Sequence, residues 1–419
     1  MQQKIKTGKS SPTFCNFPFK SIWVGGPGFM NPCCVSQFSK QKEFQVPKNS
    51  INDYWNSPEL NRLRNDLLNG KKNPTCQHCW RQESLNMTSK RTRQSQKANM
   101  TVDIVNPQIK VLSLQLTNLC NLGCRMCHHW SSSVIEDENR EYQSLYYSDK
   151  YKIDSDLNWN HDPSNFVELE QQRNWWDNEE FLEEIYKVLP NINYMDVSGG
   201  EPTLNKTLLK ILDYCIDNNF AKNIWLEVTT NGQQVNPKLS ERLNKFQRVS
   251  VFVSIDGYQD VYEYIRWKGS WNKLEKNLKY LIEHADKQVS VVCHMTSQVL
   301  NILNLTELLN WFQKNNIMWT DIDPVTRPRH HNVLILPDEV RLVAHKRWNN
   351  FLNNNKLSPR QETNVTNVIK TLEVTDQEHQ EKYWKYFVRD TMLKDEIRKQ
   401  DFKKSVPDLY NIIKERFVL

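Results

Sequence analysis

Between residues 111 and 325, short β-rich runs alternate with amphipathic helical stretches, and no other feature restricts the possible folds as much. The runs VLSLQLT (111–117), INYMDVSG (192–199), NIWLEVTTNG (223–232), RVSVFVSIDG (248–257), KQVSVVCHMTS (287–297) and IMWTDIDPV (317–325) read as strands. Between them, TLLKILDYCIDNN (207–219), PKLSERLNKF (237–246), WNKLEKNLKYLIEHA (271–285) and LTELLNWFQKNN (305–316) carry apolar residues three and four apart, the period of a helix with one buried face. Such a repeat predicts an α/β fold with a parallel sheet covered by helices. Six strands are too few for a closed eight-stranded barrel, so periodicity alone fits an open doubly wound sheet or a partial barrel. In both, chemistry belongs at the C-terminal ends of the strands, where Cys120, Gly199 to Glu201, Asn231 and Asp256 fall.

The flanks divide the 419 residues further. Residues 1–12 read as a tail, 13–83 as a small cysteine-bearing domain, 84–108 as a linker and 109–336 as the repeat. An acidic and aromatic excursion at about 131–190 interrupts the repeat, and 337–419 read as C-terminal helices. Within the small domain SPELNRLRNDLLNG (57–70) predicts a helix with Ser57 as N-cap, Pro58 in the first turn and Gly70 at the end. With 38% hydrophobic and 11% aromatic residues the chain is globular rather than disordered. A net charge of +6 is mild, and the basic run SKRTRQSQK (89–97) lacks the aromatic partners of a nucleic-acid face. It reads as a solvated linker. No stretch approaches the ~20 apolar residues of a membrane span, and the N-terminus lacks the apolar core of a signal peptide. A reducing cytoplasm is the expected location.

Ten cysteines in such a compartment do not make a disulfide frame, and eight of them precede residue 128. Metal or cluster ligation is the reading that remains. Cys120, Cys124 and Cys127 are separated by three and two residues on the loop after the first strand of the repeat. A structural zinc wants four protein ligands. A four-iron cubane held by three thiolates keeps one iron open.

The pattern Cys120-x3-Cys124-x2-Cys127 after a first strand resembles the radical S-adenosylmethionine (SAM) superfamily. The resemblance implies a partial (β/α)6 barrel and a [4Fe-4S] cluster whose open iron is chelated by SAM. One electron then cleaves the sulfonium, and the 5'-deoxyadenosyl radical abstracts a substrate hydrogen. In this family the residue before the third cysteine is usually aromatic; here it is Met126, which still offers an apolar body and a carbonyl near the adenine. VSGGEP resembles the family's GGE motif, implying that Gly199, Gly200 and Glu201 hold the SAM amino group, with Pro202 opening the next helix. TTNG and SIDG likewise resemble family segments, implying ribose contact for Ser254 and a weaker SAM contact for Asn231. An electron donor such as flavodoxin or ferredoxin follows from the chemistry.

Upstream, Cys15, Cys33, Cys76 and Cys79 suit either a tetrahedral zinc or a full cubane. With WNSPELNRLR (55–64) before the second pair, they resemble the twitch or SPASM domain that carries an auxiliary [4Fe-4S] cluster. The family's pattern of a glycine, four residues and then a cysteine, here Gly28 to Cys33, selects Cys33, with Cys34 as the alternative. The absence of further cysteines at SPASM spacing favours a single auxiliary cluster, hence a twitch-like domain. In most members this module follows the barrel; here it precedes it. The chain most resembles twitch-domain radical SAM proteins, including ones carried by bacteriophages. Their substrates imply a peptide or protein first and a small metabolite second.

The competing reading is a non-catalytic binding module stabilised by zinc on its cysteine pairs. Cys215 and Cys293 are expected as buried hydrophobes, and His128 and His129 as the start of a helix. His294, Asp321 and Asp323 are candidates for lining the barrel. The segments RPRHH (327–331) and NWW (174–176) read as an exposed loop and as lid packing.

Overall fold

The computed structural model describes residues 4–5, 11–26, 28–38, 44–84, 89–96, 102–146, 148–151, 175–235, 237–375 and 377–418. Residues 152–174 of the acidic and aromatic excursion lie outside the described residues. The strands that position the site are β1 (Ser21–Gly25), β2 (Phe29–Asn31), β3 (Val111–Gln115), β4 (Gly123–Cys124), β5 (Tyr194–Ser198), β6 (Trp225–Thr230), β7 (Arg248–Ser254), β8 (Arg266–Trp267), β9 (Val289–Ser297) and β10 (Trp319–Pro324). The helices are α1 (Pro58–Leu68), α2 (Gln77–Ser84), α3 (Ser133–Glu141), α4 (Glu179–Val188), α5 (Lys206–Asp217), α6 (Pro237–Leu243), α7 (Asp260–Ile265), α8 (Trp271–Glu283), α9 (Leu305–Lys314), α10 (Asp338–Asn354), α11 (Pro359–Leu372) and α12 (Gln380–Arg398). All six strands of the expected repeat are present, in the chain order of a partial (β/α)6 barrel. β6 and β7 stop before the turn residues that the sequence runs included, Asn231-Gly232 and Asp256-Gly257.

The chain forms two compact units. The first comprises Met1–Thr117, Glu168–Val228 and Pro237–Ser250. Its strand order is β6-β5-β3-β1-β2. β3 pairs in parallel with β5 on one side and with β1 on the other, Ser21 opposite Val111 and Val24 opposite Leu114. The cysteine-bearing N-terminal segment therefore adds two strands to the sheet that begins the repeat. Val111, Leu112 and Leu114 are all buried, as expected of a strand covered on both faces. Over it α5 is capped by Asn205, whose side chain accepts from Leu208 N, and buries Leu208, Ile211, Leu212 and Cys215. These recur every three or four residues along one face, and each buried leucine contributes about 1.5–3 kcal/mol. Cys215 is a core hydrophobe, its thiol pushed up to about 12 by burial. α1 begins as expected, with Ser57 accepting from Leu60 N and Pro58 at the first position. In the basic run, Arg91 donates to the Phe14 carbonyl at 2.9 Å and stacks over Trp80, so this part of the run is used in packing.

The second unit comprises Asn118–Val167, Thr229–Asn236 and Val251–Leu419. Its sheet order is β10-β9-β7, with β9 and β10 parallel and Thr296 opposite Asp323. Cys293 is fully buried in β9. α9 covers the sheet with Leu305, Leu308, Leu309 and Phe312. The C-terminal segment is helical, and α11 is an element absent from the sequence reading. Its signal was the capping box of Ser358 and Gln361, with Pro359 between them. The RPRHH segment is not an exposed loop: His330 and His331 are buried in a short helical turn. The reason lies in α12, whose Asp390 and Lys394 are buried too.

His331 Nε2 lies 3.2 Å and His330 Nε2 3.6 Å from the same Asp390 oxygen. This is the ligand set of a metal ion, but the Lys394 ammonium stands 2.9 Å from that oxygen and supplies the positive charge. Burial opposes the Asp390 charge, yet Lys394 and the two histidines hold its carboxyl well below the usual range. Removing the ammonium leaves a buried carboxylate uncompensated. Lys394→Met should therefore cost about 3–5 kcal/mol in denaturant unfolding.

Burial pushes His331 down to about 3, whereas an unfolded histidine titrates near 6.5. The unfolded chain thus binds more protons between those values, and stability falls as pH drops below about 6.5. The thermal midpoint should decline between pH 7 and pH 5. His331→Gln should flatten that decline without abolishing it, because His128 is depressed to about 3 as well.

Candidate active site and the N-terminal thiols

Three thiols in eight residues need a loop of fixed shape, and short-range hydrogen bonds supply much of it. Ser132 caps α3 through Ile135 N and donates to the Leu122 carbonyl at 2.7 Å. Ser133 Oγ accepts from Cys120 N at 3.2 Å, and Cys127 N donates to the Cys124 carbonyl at 2.9 Å. His128 and His129 precede α3 in an extended residue and a short helical turn rather than opening the helix itself.

Tertiary contacts within the second unit fix the rest. β4 pairs antiparallel with β8, Cys124 opposite Arg266 and Gly123 opposite Trp267. A Cβ at Gly123 would meet the Trp267 ring at 2.7 Å, so a side chain there forces the ladder apart. Arg125 N donates to the Ile265 carbonyl at 2.8 Å. The Arg125 guanidinium stacks over Tyr264 and pairs with Asp395. Its carbonyl accepts from Lys394 at 3.0 Å. Gln298 donates to the Met126 sulfur at 3.6 Å and is held in turn by His331 Nδ1 at 3.1 Å.

Two of the sulfurs have polar side chains aimed at them. Arg266 Nη1 is 3.8 Å from Cys124 Sγ, and Asn231 Nδ2 is 3.9 Å from Cys120 Sγ. Arg266 in turn pairs with Asp256 at 2.6 Å, both side chains buried. Burial raises the Cys124 thiol against the pull of Arg266, and it raises Cys127 to about 12. The sequence singled out Asn231 and Asp256 by their position after strands; Arg266 and Gln298 it missed. Only the pairing of β8 with β4 reveals Arg266, because Arg266 lies 142 positions beyond Cys124 in sequence.

Ser254 ends β7 half-buried. His294 and Asp323, on β9 and β10, are 3.2 Å apart. Burial opposes the histidine's charge, but the Asp323 hydrogen bond and charge lift it above its ordinary value. Asp321 pairs instead with Arg360 at 2.6 Å.

The remaining candidates lie in the first unit. Gly199 follows β5 at φ 85°, and a Cβ there would stand 2.1 Å from the Gln115 side chain, so both conformation and space demand glycine. Gly200 also has positive φ. Glu201 is buried and accepts from Thr203 N at 3.1 Å, capping the turn that starts at Pro202.

Among the N-terminal thiols, burial and then the charge of Cys76 raise Cys15 to about 12, with Cys79 adding to the effect. Burial, then Cys34, then Cys15 raise Cys33. Cys76 ends a helical turn capped by Asn73, and Cys79 lies in α2. Cys15, Cys33, Cys76 and Cys79 therefore share one electrostatic neighbourhood. Cys34 is exposed, with Lys90 Nζ 3.1 Å from its sulfur.

Comparison with known families and proteins finds two family matches along the chain. Residues 114–311 match the radical SAM superfamily, and residues 15–80 match the iron-sulfur cluster-binding domain called SPASM. The chain is 28% identical over 166 residues to the radical SAM cyclopropyl synthase TigE of Paramaledivibacter caminithermalis, covering 39% of this chain and 30% of that protein. It is 29% identical over 102 residues to the mycofactocin maturase MftC of Mycolicibacterium smegmatis, covering 24% and 25%. The matched stretches thus span about a third or less of these relatives. Among solved structures, anSMEcpe with bound AdoMet superposes with a TM-score of 0.39 at 16% identity, over 60% of this chain and 61% of that one. Streptococcus suis SuiB bound to precursor peptide SuiA gives 0.35 at 12%, over 71% and 60%. The two family matches enclose both sets of cysteines: residues 114–311 match the radical SAM superfamily around Cys120, Cys124 and Cys127, and residues 15–80 match the SPASM iron–sulfur cluster-binding domain around Cys15, Cys33, Cys76 and Cys79.

Proposed function

We propose that this chain is a radical SAM enzyme in which Cys120, Cys124 and Cys127 ligate a [4Fe-4S] cluster and leave one iron to SAM. The observation that carries the reading is a loop of three thiols directly after β3, with a guanidinium and an amide aimed at two of the sulfurs. Thiolates are the donor set of iron–sulfur clusters, and hydrogen bonds to sulfur are among the means by which a protein tunes them. The residues present therefore fit the group. Burial keeps Cys124 and Cys127 as thiols until metal binding displaces their protons. When bound, the cluster and SAM supply a one-electron cleavage of the sulfonium and a 5'-deoxyadenosyl radical able to take a substrate hydrogen.

The chain's own residues would bind and orient. Gly199 and Gly200 give SAM a close backbone approach, and the Glu201 carboxylate receives its ammonium group, with Pro202 fixing the turn. Met126 is assigned to the adenine, its side chain steadied by Gln298. Ser254 is assigned to the ribose. For Asn231, the contact with Cys120 supports a role at the thiolate in place of a direct SAM contact.

Cys15, Cys33, Cys76 and Cys79 are assigned to an auxiliary [4Fe-4S] cluster. The pairing of Cys34 with Lys90 supports Cys33 as the ligand. A peptide is the substrate class proposed first, since one matched relative is named a maturase, and a small metabolite second. The reading includes a flavodoxin- or ferredoxin-type electron donor and a reducing cytoplasm. All ten cysteines are free thiols, and among the described residues no helix is long and apolar enough to cross a membrane.

Anaerobic reconstitution with iron and sulfide, followed by SAM and dithionite, tests the assignment. The wild type should hold about eight irons per chain, two cubanes, and release 5'-deoxyadenosine. Cys124→Ala should release none and retain about four irons. Zinc without sulfide and without 5'-deoxyadenosine would replace this reading with the zinc-stabilised binding module.

The ladder beneath the loop gives a second expectation. Gly123→Ala should cost about 1–3 kcal/mol through the clash with Trp267 and lower iron retention, measured by denaturant unfolding and iron analysis. Combining it with Trp267→Leu should recover part of that cost.

A further inference from the structure

We propose that the buried Asp256–Arg266 ion pair sets the reduction potential of the cluster on Cys120, Cys124 and Cys127. The guanidinium makes that cluster easier to reduce, and the carboxylate limits the gain. This inference rests on the reading of the three cysteines as cluster ligands and assigns a tuning device to the same site.

The geometry gives each member a fixed place. Arg266 is held opposite Cys124 by the β4–β8 ladder, so its backbone cannot drift from the thiol without breaking that pairing. Its Nη1 reaches the Cys124 sulfur at 3.8 Å, and its Nη2 donates to Asp256 Oδ2 at 2.6 Å. Asp256 is fully buried. Its other oxygen accepts from Thr296 N at 2.7 Å, and its carbonyl accepts from Asn301 at 3.0 Å. Arg266 Nε is buried and has no hydrogen-bond partner among the described residues.

Other charges nearby are already balanced. Arg398 also acts on Cys124, but Glu138 binds it through two oxygens at 2.7 and 3.0 Å. Arg125 is paired with Asp395. The Asp256–Arg266 pair places its guanidinium 3.8 Å from a proposed ligand sulfur.

The physical consequence follows from charge. Reduction adds one electron from an external one-electron donor; no bond forms or breaks and no proton moves, since arginine stays protonated. A fixed cation beside a ligand sulfur stabilises the more negative, reduced state, and a fixed anion destabilises it. Burial leaves little solvent to screen either effect. The two members of one ion pair should therefore act in opposite directions.

The test uses the full chain, reconstituted anaerobically and titrated with dithionite under electron paramagnetic resonance. The cluster at the trio is identified as the one whose signal changes when SAM is added. Arg266→Gln should move its potential to a more negative value and Asp256→Asn to a more positive one, while Arg266→Lys should stay near the wild type. Asp256→Asn keeps the shape and an acceptor for Thr296, so it decides the matter if Arg266→Gln fails to hold iron. Shifts of the same sign in both neutralising variants, or no shift with iron content and SAM response intact, would overturn the proposal. A wild type without any SAM-responsive signal would overturn the reading of the trio itself, and this inference with it.

Discussion

Cys124 and Arg266 face each other across a two-residue antiparallel ladder, and the loop of three cysteines takes its shape from that pairing. The ladder admits only glycine at 123, brings a cation to a thiol, and aligns Arg125 N with the Ile265 carbonyl. None of these is a strong interaction alone. Together they convert a polar loop, which would otherwise sample many conformations at a cost of about 1–2 kcal/mol per residue to order, into a single arrangement of sulfurs.

The opposite side of the loop is held by charge. α12 carries Asp390, Lys394, Asp395 and Arg398, which meet His330 and His331, the Arg125 carbonyl, the Arg125 guanidinium and Glu138 respectively. Buried pairs of this kind add little net stability, because desolvation offsets most of their attraction. They are strict about geometry, however, since any misalignment leaves a buried charge unpaired. Such pairs suit a helix whose task is to hold the backbone on either side of Met126 in place. They also explain how so many charged residues of α12 come to be buried.

The N-terminal segment depends on a different principle. β1 joins β3 by parallel pairing, so the sheet that starts the repeat also anchors the segment bearing Cys15 and Cys33. Cys76 and Cys79 arrive from the other direction, through a turn fixed by Asn73, whose carbonyl accepts from Trp80. Four thiols separated by up to 63 residues in sequence are thereby gathered into one neighbourhood in the first unit.

The sequence by itself determined the βα repeat, because strand and helix periods are local properties of a few consecutive side chains. It determined the three-cysteine loop and the GGE turn for the same reason: their meaning lies in spacing along a short stretch. It also marked Cys215 and Cys293 as core residues, from their apolar surroundings. Tertiary structure alone decided which distant groups serve that loop. Arg266, Gln298 and Lys394 are ordinary polar residues where they occur, and their roles come from strand pairing and helix docking over more than a hundred positions. The burial of His330 and His331 was hidden likewise. An RPRHH run looks solvated until a helix some sixty residues later brings a carboxylate to it, and no local pattern encodes where a chain will meet its own charges.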